Sequence, residues 1–296
     1  MMEHTIVADR TINGGTPHVR LDQNTFDKKF DRAPFLVEHS LSGHPLFKIE
    51  ALLALAKSLP SSAVEYNAGE LPVDCDPAET PLTGLSPEET IRRIADCKSW
   101  MVLKNVEQDA RYQDLLMSCL AEVRHYSSRI HDKMTNFQGF IFLSSPNSIT
   151  PYHMDPEHNF LLQIQGRKFM IVFARDLVTS EELERFHAGA HRNLKFRETF
   201  IENSETFELT PGVGLHVPST APHFVRNGEN VSISFSITFR TPDLERLGNI
   251  HLVNGALRAR GLHPNAPGAI GLLDSFKDLA WRTYRKSAAL VGRIVD

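Results

Sequence analysis

From residue 137 onward apolar positions recur every second residue, and on both sides of that region they recur with helical spacing. The alternating runs are "FQGFIFLSS", "NFLLQIQG", "KFMIVFA", "ETFELTPG", "GLHVPS" and "VSISFSITF", parted by Gly, Pro, Asn or charge. Short alternating runs between turn residues predict strands, and several in succession predict a sandwich or barrel. The last run is the cleanest. Ile233, Phe235, Ile237 and Phe239 share one face, and Ser232, Ser234, Ser236 and Thr238 share the other. A face of small hydroxyls reads either as an exposed edge or as the wall of a polar pocket.

The flanks follow another rhythm. The first 40 residues read as irregular and polar, with a turn cluster at "NGGTPH". "HPLFKIEALLALAKSLP" then places Leu46, Ile49, Leu53, Ala56 and Leu59 on one helical face. In "LSPEETIRRI" Ser86 is a good N-cap, Pro87 suits the first turn, and Glu89 completes a capping box. A further helix from Asp109 to Arg124 would bury Tyr112, Leu115, Leu116, Cys119, Leu120 and Val123. The insert "VTSEELERFHAGAHRNLKF" predicts a short helix from Ser180. After residue 243 the helical period returns, and Leu273, Phe276, Leu279 (or Ala280) and Tyr284 form an apolar stripe. That stripe packs either on the barrel or on a second subunit. The expected organisation is a mixed α/β region at 1–130, a β core at 131–242 and a helical region at 243–296.

Composition narrows the function classes. The chain has 296 residues, 41% hydrophobic and 23% charged, which is ordinary for a soluble globular protein. A net charge of −4 gives no electrostatic footprint for nucleic acid and little attraction to anionic membranes. Cys75, Cys97 and Cys119 are odd in number and form no CxxC pair, which favours a reducing compartment. The stretch "MMEHTIVADRTINGG" lacks the basic-then-apolar order of a signal peptide, and no window holds 18 uninterrupted apolar residues. The expectation is a cytoplasmic protein.

The candidate chemistry begins in "TPYHMDPEHNF". His153 and Asp155 are two apart, so in an extended segment they project together. An imidazole and a carboxylate begin a site for a divalent transition metal. A second imidazole completes the facial triad that leaves coordination positions open. An HxD pair alone is common by chance, so the third ligand matters. His216 and His223 are the candidates, in "PGVGLHVPSTAPHFVRNG". They are seven apart, so one strand does not offer both to one ion. The layout of turn, strand and second turn favours His223 and leaves His216 within the strand. His158 points away from its neighbour Asn159 and is not expected to be a ligand. His187 and His191 have helix-face spacing, but Gly189 interrupts it, and a surface or lid helix is the expectation.

With these residues in view, the stretch of residues 137–240 resembles the JmjC, or cupin-like, Fe(II)/2-oxoglutarate dioxygenases. It is most similar to the branch of the factor-inhibiting-HIF asparaginyl hydroxylases. The resemblance exceeds the HxD pair. The family has a Thr three residues before the first His (Thr150), an Asn four after the Asp (Asn159) and a Lys thirteen after it (Lys168). It implies a mainly β fold with α additions: a double-stranded β-helix, or jelly roll, flanked by N- and C-terminal helices. It implies Fe(II) on His153, Asp155 and His223, with O2 and 2-oxoglutarate as co-substrates. Thr150, Asn159 and Lys168 would hold 2-oxoglutarate, with Ser236 where the close relative has Asn. The physics agrees for Lys168, which sits beside Phe169, Ile171 and Phe173 and, if buried, needs an anionic partner. The distal carboxylate of 2-oxoglutarate supplies one.

The departures are equally specific. Val213 replaces the Asp of the family's "PGD" turn, which puts that turn's stability in question. Ala221–Pro222 replaces an aromatic pair, which would open the substrate side of the pocket. The family's N-terminal Tyr near the distal carboxylate has no aligned counterpart. The implied reaction is hydroxylation of a protein side chain or small molecule, coupled to decarboxylation of 2-oxoglutarate. The branch's C-terminal dimerisation implies a homodimer. Two rivals stand beside it: a non-oxidative, isomerase-like metal cupin, and a JmjC-like binding protein without turnover. The Thr150, Asn159 and Lys168 set speaks against the first, and the intact triad against the second.

Overall fold

The computed structural model describes residues 18–76, 80–126 and 133–295; the expected turn cluster at 13–18 lies outside them except for His18. Residues read as irregular in the sequence form β1 (Val19–Arg20), α1 (Gln23–Lys29) and β2 (Phe35–His39). Asp22 caps α1 by accepting from the Thr25 N–H at 2.7 Å. The strand β2 is short, but its alternation is regular: Phe35, Val37 and His39 are buried, Leu36 and Glu38 exposed. Two-residue periodicity over five residues is too brief to stand out in a polar neighbourhood.

Next come α2 (Ile49–Ser58), β3 (Val64–Ala68), α3 (Pro87–Arg92), β4 (Ser99–Lys104) and α4 (Ala110–His125). Ser86 and Glu89 form the reciprocal capping box of α3, and Asp109 caps α4. All six residues expected on the buried side of α4 are buried. The remaining strands are β5 (Thr135–Ser144), β6 (Ile149–His153), β7 (His158–Gln165) and β8 (Lys168–Phe173). Then follow α5 (Ser180–His187), β9 (Ser204–Leu209), β10 (Val213–Val217), β11 (His223–Asn227) and β12 (Ser232–Arg240). Helices α6 (Pro242–Arg258) and α7 (Gly271–Val295) complete the chain. Among the described residues no helix is long and apolar enough to cross a membrane.

The strands form two antiparallel sheets facing each other as a jelly roll. One has eight strands in the order β1-β2-β10-β7-β12-β5-β4-β3, and the other has four in the order β6-β11-β8-β9. The sheet therefore continues through residues on both sides of position 130. Alternation sorts the eight-stranded sheet into two faces. Phe160, Leu162, Ile233, Phe235, Ile237 and Phe239 join Tyr112, Leu116, Leu52 and Leu55 in the main core, beneath α2 and α4. The opposite face meets the small sheet, where Leu161, Leu215 and Val217 pack with Met170, Val172 and Val225.

The Val213 departure leaves the turn intact. Pro211 and Gly212 occupy its centre, Gly212 has φ +94°, and Val213 N–H donates to Thr210 O at 2.9 Å. Ala221 does not open the pocket to solvent, because it is buried in the cluster between the sheets. The stripe on α7 does not pack on the barrel: Leu273, Phe276, Leu279 and Tyr284 are exposed.

Candidate metal centre and co-substrate pocket

Two strands and one loop bring three candidate ligands together. His153 ends β6, Asp155 lies two residues beyond, and His223 begins β11, where it sits directly opposite His153. One ligand atom from each lies within 4.8 Å of the others. Both imidazole Nε2 atoms stand 3.8 Å from Asp155 Oδ2. His153 Nδ1 donates to Pro151 O at 2.7 Å, and His223 Nδ1 donates to Ala221 O at 3.0 Å. A carbonyl only accepts, so each Nδ1 carries the proton and each Nε2 presents its lone pair to the shared centre.

Charge favours the same arrangement. Burial pushes the His153 imidazole down to about 3, aided by its neighbour His223, so it stays neutral. Burial pushes the Asp155 carboxyl up, but the combined pull of His153, Arg192 and His223 outweighs that and holds it below its usual range. Two imidazoles and one carboxylate converge, each ring held through its Nδ1. That donor set fits a divalent transition metal with open positions.

A cavity of about 480 Å³ opens on this centre. Thr150 lies on its wall together with His153 and Asp155. Residues three apart on a regular strand face opposite ways, so this pairing needs an irregularity. β6 supplies it. His153 pairs with His223 and Thr150 with Val225, so three steps on β6 match two on β11.

The other expected residues face the space between the sheets. Lys168 is 3% exposed and shares its face of β8 with the interior residues Met170 and Val172. Its Nζ lies 5.6 Å over the ring of Phe142, which lines the cavity. Among the described residues no hydrogen bond or ion pair meets the ammonium, and burial pushes it down to about 7. Asn159 on β7 accepts from Ser236 Oγ at 2.8 Å, which turns its amide N–H groups toward other partners. Ser234 Oγ donates to Gln163 Oε1 at 2.6 Å, and Gln163 Nε2 donates to Ser232 Oγ at 3.0 Å. The hydroxyl face of β12 is thus a buried polar wall rather than an exposed edge.

The remaining histidines separate from the triad. His216 is fully buried in an aromatic cluster with Phe30, Phe35 and Phe160, and its Nδ1 donates to Asn159 O at 3.1 Å. His158 is buried against Phe30 and Phe239. His187 and His191 do not share a helix. His187 ends α5 and stacks on His251 of α6 at 5.2 Å, whereas His191 lies beyond Gly189 and lines the cavity.

Sequence reasoning missed Arg192 and Trp100. Arg192 Nη1 donates to Asp155 Oδ1 at 3.0 Å from a loop 37 residues away in sequence, and nothing in "HRN" signals that approach. Trp100 lines the cavity from β4. No tyrosine is among the described lining residues.

Residues 116–247 match the model of the JmjC domain. JmjC domain-containing protein D of Dictyostelium discoideum is 30% identical over 122 residues, 36% of this chain and 25% of that protein. Lysine-specific demethylase 8 of Xenopus tropicalis is 29% identical over 103 residues, 31% of this chain and 22% of that protein. The alignment therefore spans about a quarter of these relatives' length. The X-ray structure of E. coli ycfD is similar in fold, with a TM-score of 0.53 and 16% identity, covering 90% of this chain and 68% of that one. These likenesses are to JmjC proteins and do not single out the asparaginyl-hydroxylase branch.

Proposed function

We propose that this chain, whose residues 116–247 match the JmjC domain model, is an Fe(II)- and 2-oxoglutarate-dependent oxygenase that hydroxylates a second substrate. His153, Asp155 and His223 would hold the iron. Lys168, Thr150, Asn159 and Ser236 would receive 2-oxoglutarate. The iron would supply activation of O2, which the side chains lack. The chain's own residues bind and orient. Nδ1–H bonds to Pro151 and Ala221 fix both imidazoles. Ser236 orients Asn159, whose amide N–H groups suit a carboxylate.

The observation that carries this reading is Lys168. A buried ammonium without an anion is costly, and here one lies over Phe142, whose ring lines the same cavity as His153 and Asp155. A dicarboxylate that reaches from the triad to Lys168 removes that cost. The isomerase-like cupin reading leaves the lysine without a purpose.

The substrate stays a class: a protein side chain or a small molecule that enters past Trp100, Phe186 and His191. A homodimer through α7 belongs to the same proposal. The test is succinate release by the full chain with Fe(II), 2-oxoglutarate and O2, against peptide and metabolite libraries. Parent activity above that of His223→Ala supports the reading. Equal activity of the two removes it.

A further inference from the structure

The insert between β8 and β9 ends against the metal centre. Helix α5 closes with Gly189 at φ +95°, where Gly189 N–H donates to Phe186 O at 3.1 Å and Ala190 N–H to Arg185 O at 3.0 Å. The chain then runs along the edge of β6. Asn193 bridges His153 antiparallel, Met154 N–H donates to Arg192 O at 3.2 Å, and Leu194 N–H donates to Tyr152 O at 3.0 Å. Asn193 Nδ2 donates to Cys75 O at 3.2 Å on the other side. These bonds deliver the Arg192 guanidinium to Asp155 Oδ1. Among the described residues no other hydrogen bond holds that oxygen, while Oδ2 faces the two imidazoles.

We propose that Arg192 is a positioning residue of the metal centre: it occupies Oδ1 and so fixes Asp155 as a one-oxygen ligand through Oδ2. The inference rests on the metal-binding role of the triad proposed above. Two effects of Arg192 compete. Its charge repels a cation nearby, and its hydrogen bond orients the ligand. The guanidinium is 51% exposed, so water and salt weaken the repulsion. The hydrogen bond is direct and charge-assisted, and does not depend on a long-range field. Orientation therefore wins. Partners of this kind change metal affinity by about 10–100-fold.

The experiment is anaerobic Co(II) titration of the full chain, followed by visible absorption. It compares the parent with Arg192→Ala, Arg192→Lys, His223→Ala and the charge control Arg185→Ala. The parent should bind one Co(II), and His223→Ala should not. Arg192→Ala should bind about 10–100-fold more weakly, with band intensities altered because the released carboxylate can offer both oxygens. Arg192→Lys keeps one N–H donor and should recover part of the affinity and the parent spectrum. Arg185→Ala should match the parent. Hydrogen exchange supplies a second readout: Co(II) should slow amides of residues 189–194 in the parent but not in Arg192→Ala. The proposal falls if Arg192→Ala binds as tightly as the parent with the same spectrum, or if Arg185→Ala weakens binding equally. A parent that binds no cobalt removes the metal reading and this one together. A parent that binds cobalt while Arg192→Ala is unchanged removes this one alone.

Discussion

Lys168 puts stability and binding in opposition at one side chain. Burial holds its ammonium at about 7, whereas an unfolded lysine titrates near ~10.4. Between those values the unfolded chain binds more protons, so stability should rise with pH from about 7 to about 10. Below 7 both states are charged and the full cost of burial is present. Lys168→Met, of similar length and no charge, should raise the urea midpoint of the ligand-free chain at pH 7 and flatten that slope. For 2-oxoglutarate the sign reverses. Losing one partner of a buried charged pair costs about 2–5 kcal/mol, so Lys168→Ala should weaken binding roughly 30-fold to several thousand-fold. At pH 8 the parent should take up close to one proton on binding, which calorimetry in buffers of different ionisation enthalpy measures. Tight binding by Lys168→Ala, with no proton uptake by the parent, would place the co-substrate elsewhere. The histidines make a second test. His223→Ala should lose metal binding. His216→Ala should keep it and instead lose stability, by about 2–4 kcal/mol for a buried ring removed from an aromatic cluster. Metal loss in His216→Ala would reverse the assignment.

At the scale of elements, the hairpin between β7 and β8 sets where Lys168 points. Gly166 has φ +74°, and a Cβ there would collide with the backbone carbonyl of Val231. Gly166→Ala should therefore cost about 1–3 kcal/mol from strain alone, and more with the clash. A urea midpoint within error of the parent would show that the turn tolerates a side chain. Elements such as β12 and α4 were legible because nine or sixteen residues repeat one period. β6 and β11 were not, because five residues carry Pro151 or Arg226 amid apolar neighbours, and pairing across the sheet decides their fate. The convergence of the candidate ligands was legible through the same logic. His153 and Asp155 are local in sequence, and His223 follows from turn chemistry. That Thr150 shares their wall depends on a register shift between β6 and β11, which no single segment encodes. Arg192 depends on how an insert folds back, a tertiary event without a local signal.

Among the described residues of the whole molecule, α7 carries an uncovered apolar surface. Helix α7 lies on α6 through its polar side: Asn249 Nδ2 donates to Asp278 Oδ1 at 2.7 Å, and Arg246 donates to Ser275 Oγ at 3.1 Å. Its other side presents Leu272, Phe276 and Leu279, at 82%, 71% and 61% exposure, with Tyr284 beyond. The spacing of four and three puts the first three on one face of the helix. At about 25 cal/mol per Å² of apolar area, leaving such a face in water forgoes several favourable burials. A contiguous exposed patch of this kind marks an interaction surface. A second copy of the chain offers the same face, so a two-fold pairing of α7 helices closes the surface with no further partner. The chain mass is 33.3 kDa, and sedimentation at micromolar concentration should give twice that. Phe276→Glu with Leu279→Glu should return the mass to that of one chain, because two charges would be buried unpaired at the contact. Co(II) affinity should not change, since no described residue of α7 belongs to the triad or the cavity lining. A parent that sediments at the mass of a single chain would reject the pairing and leave the α7 face for a different protein.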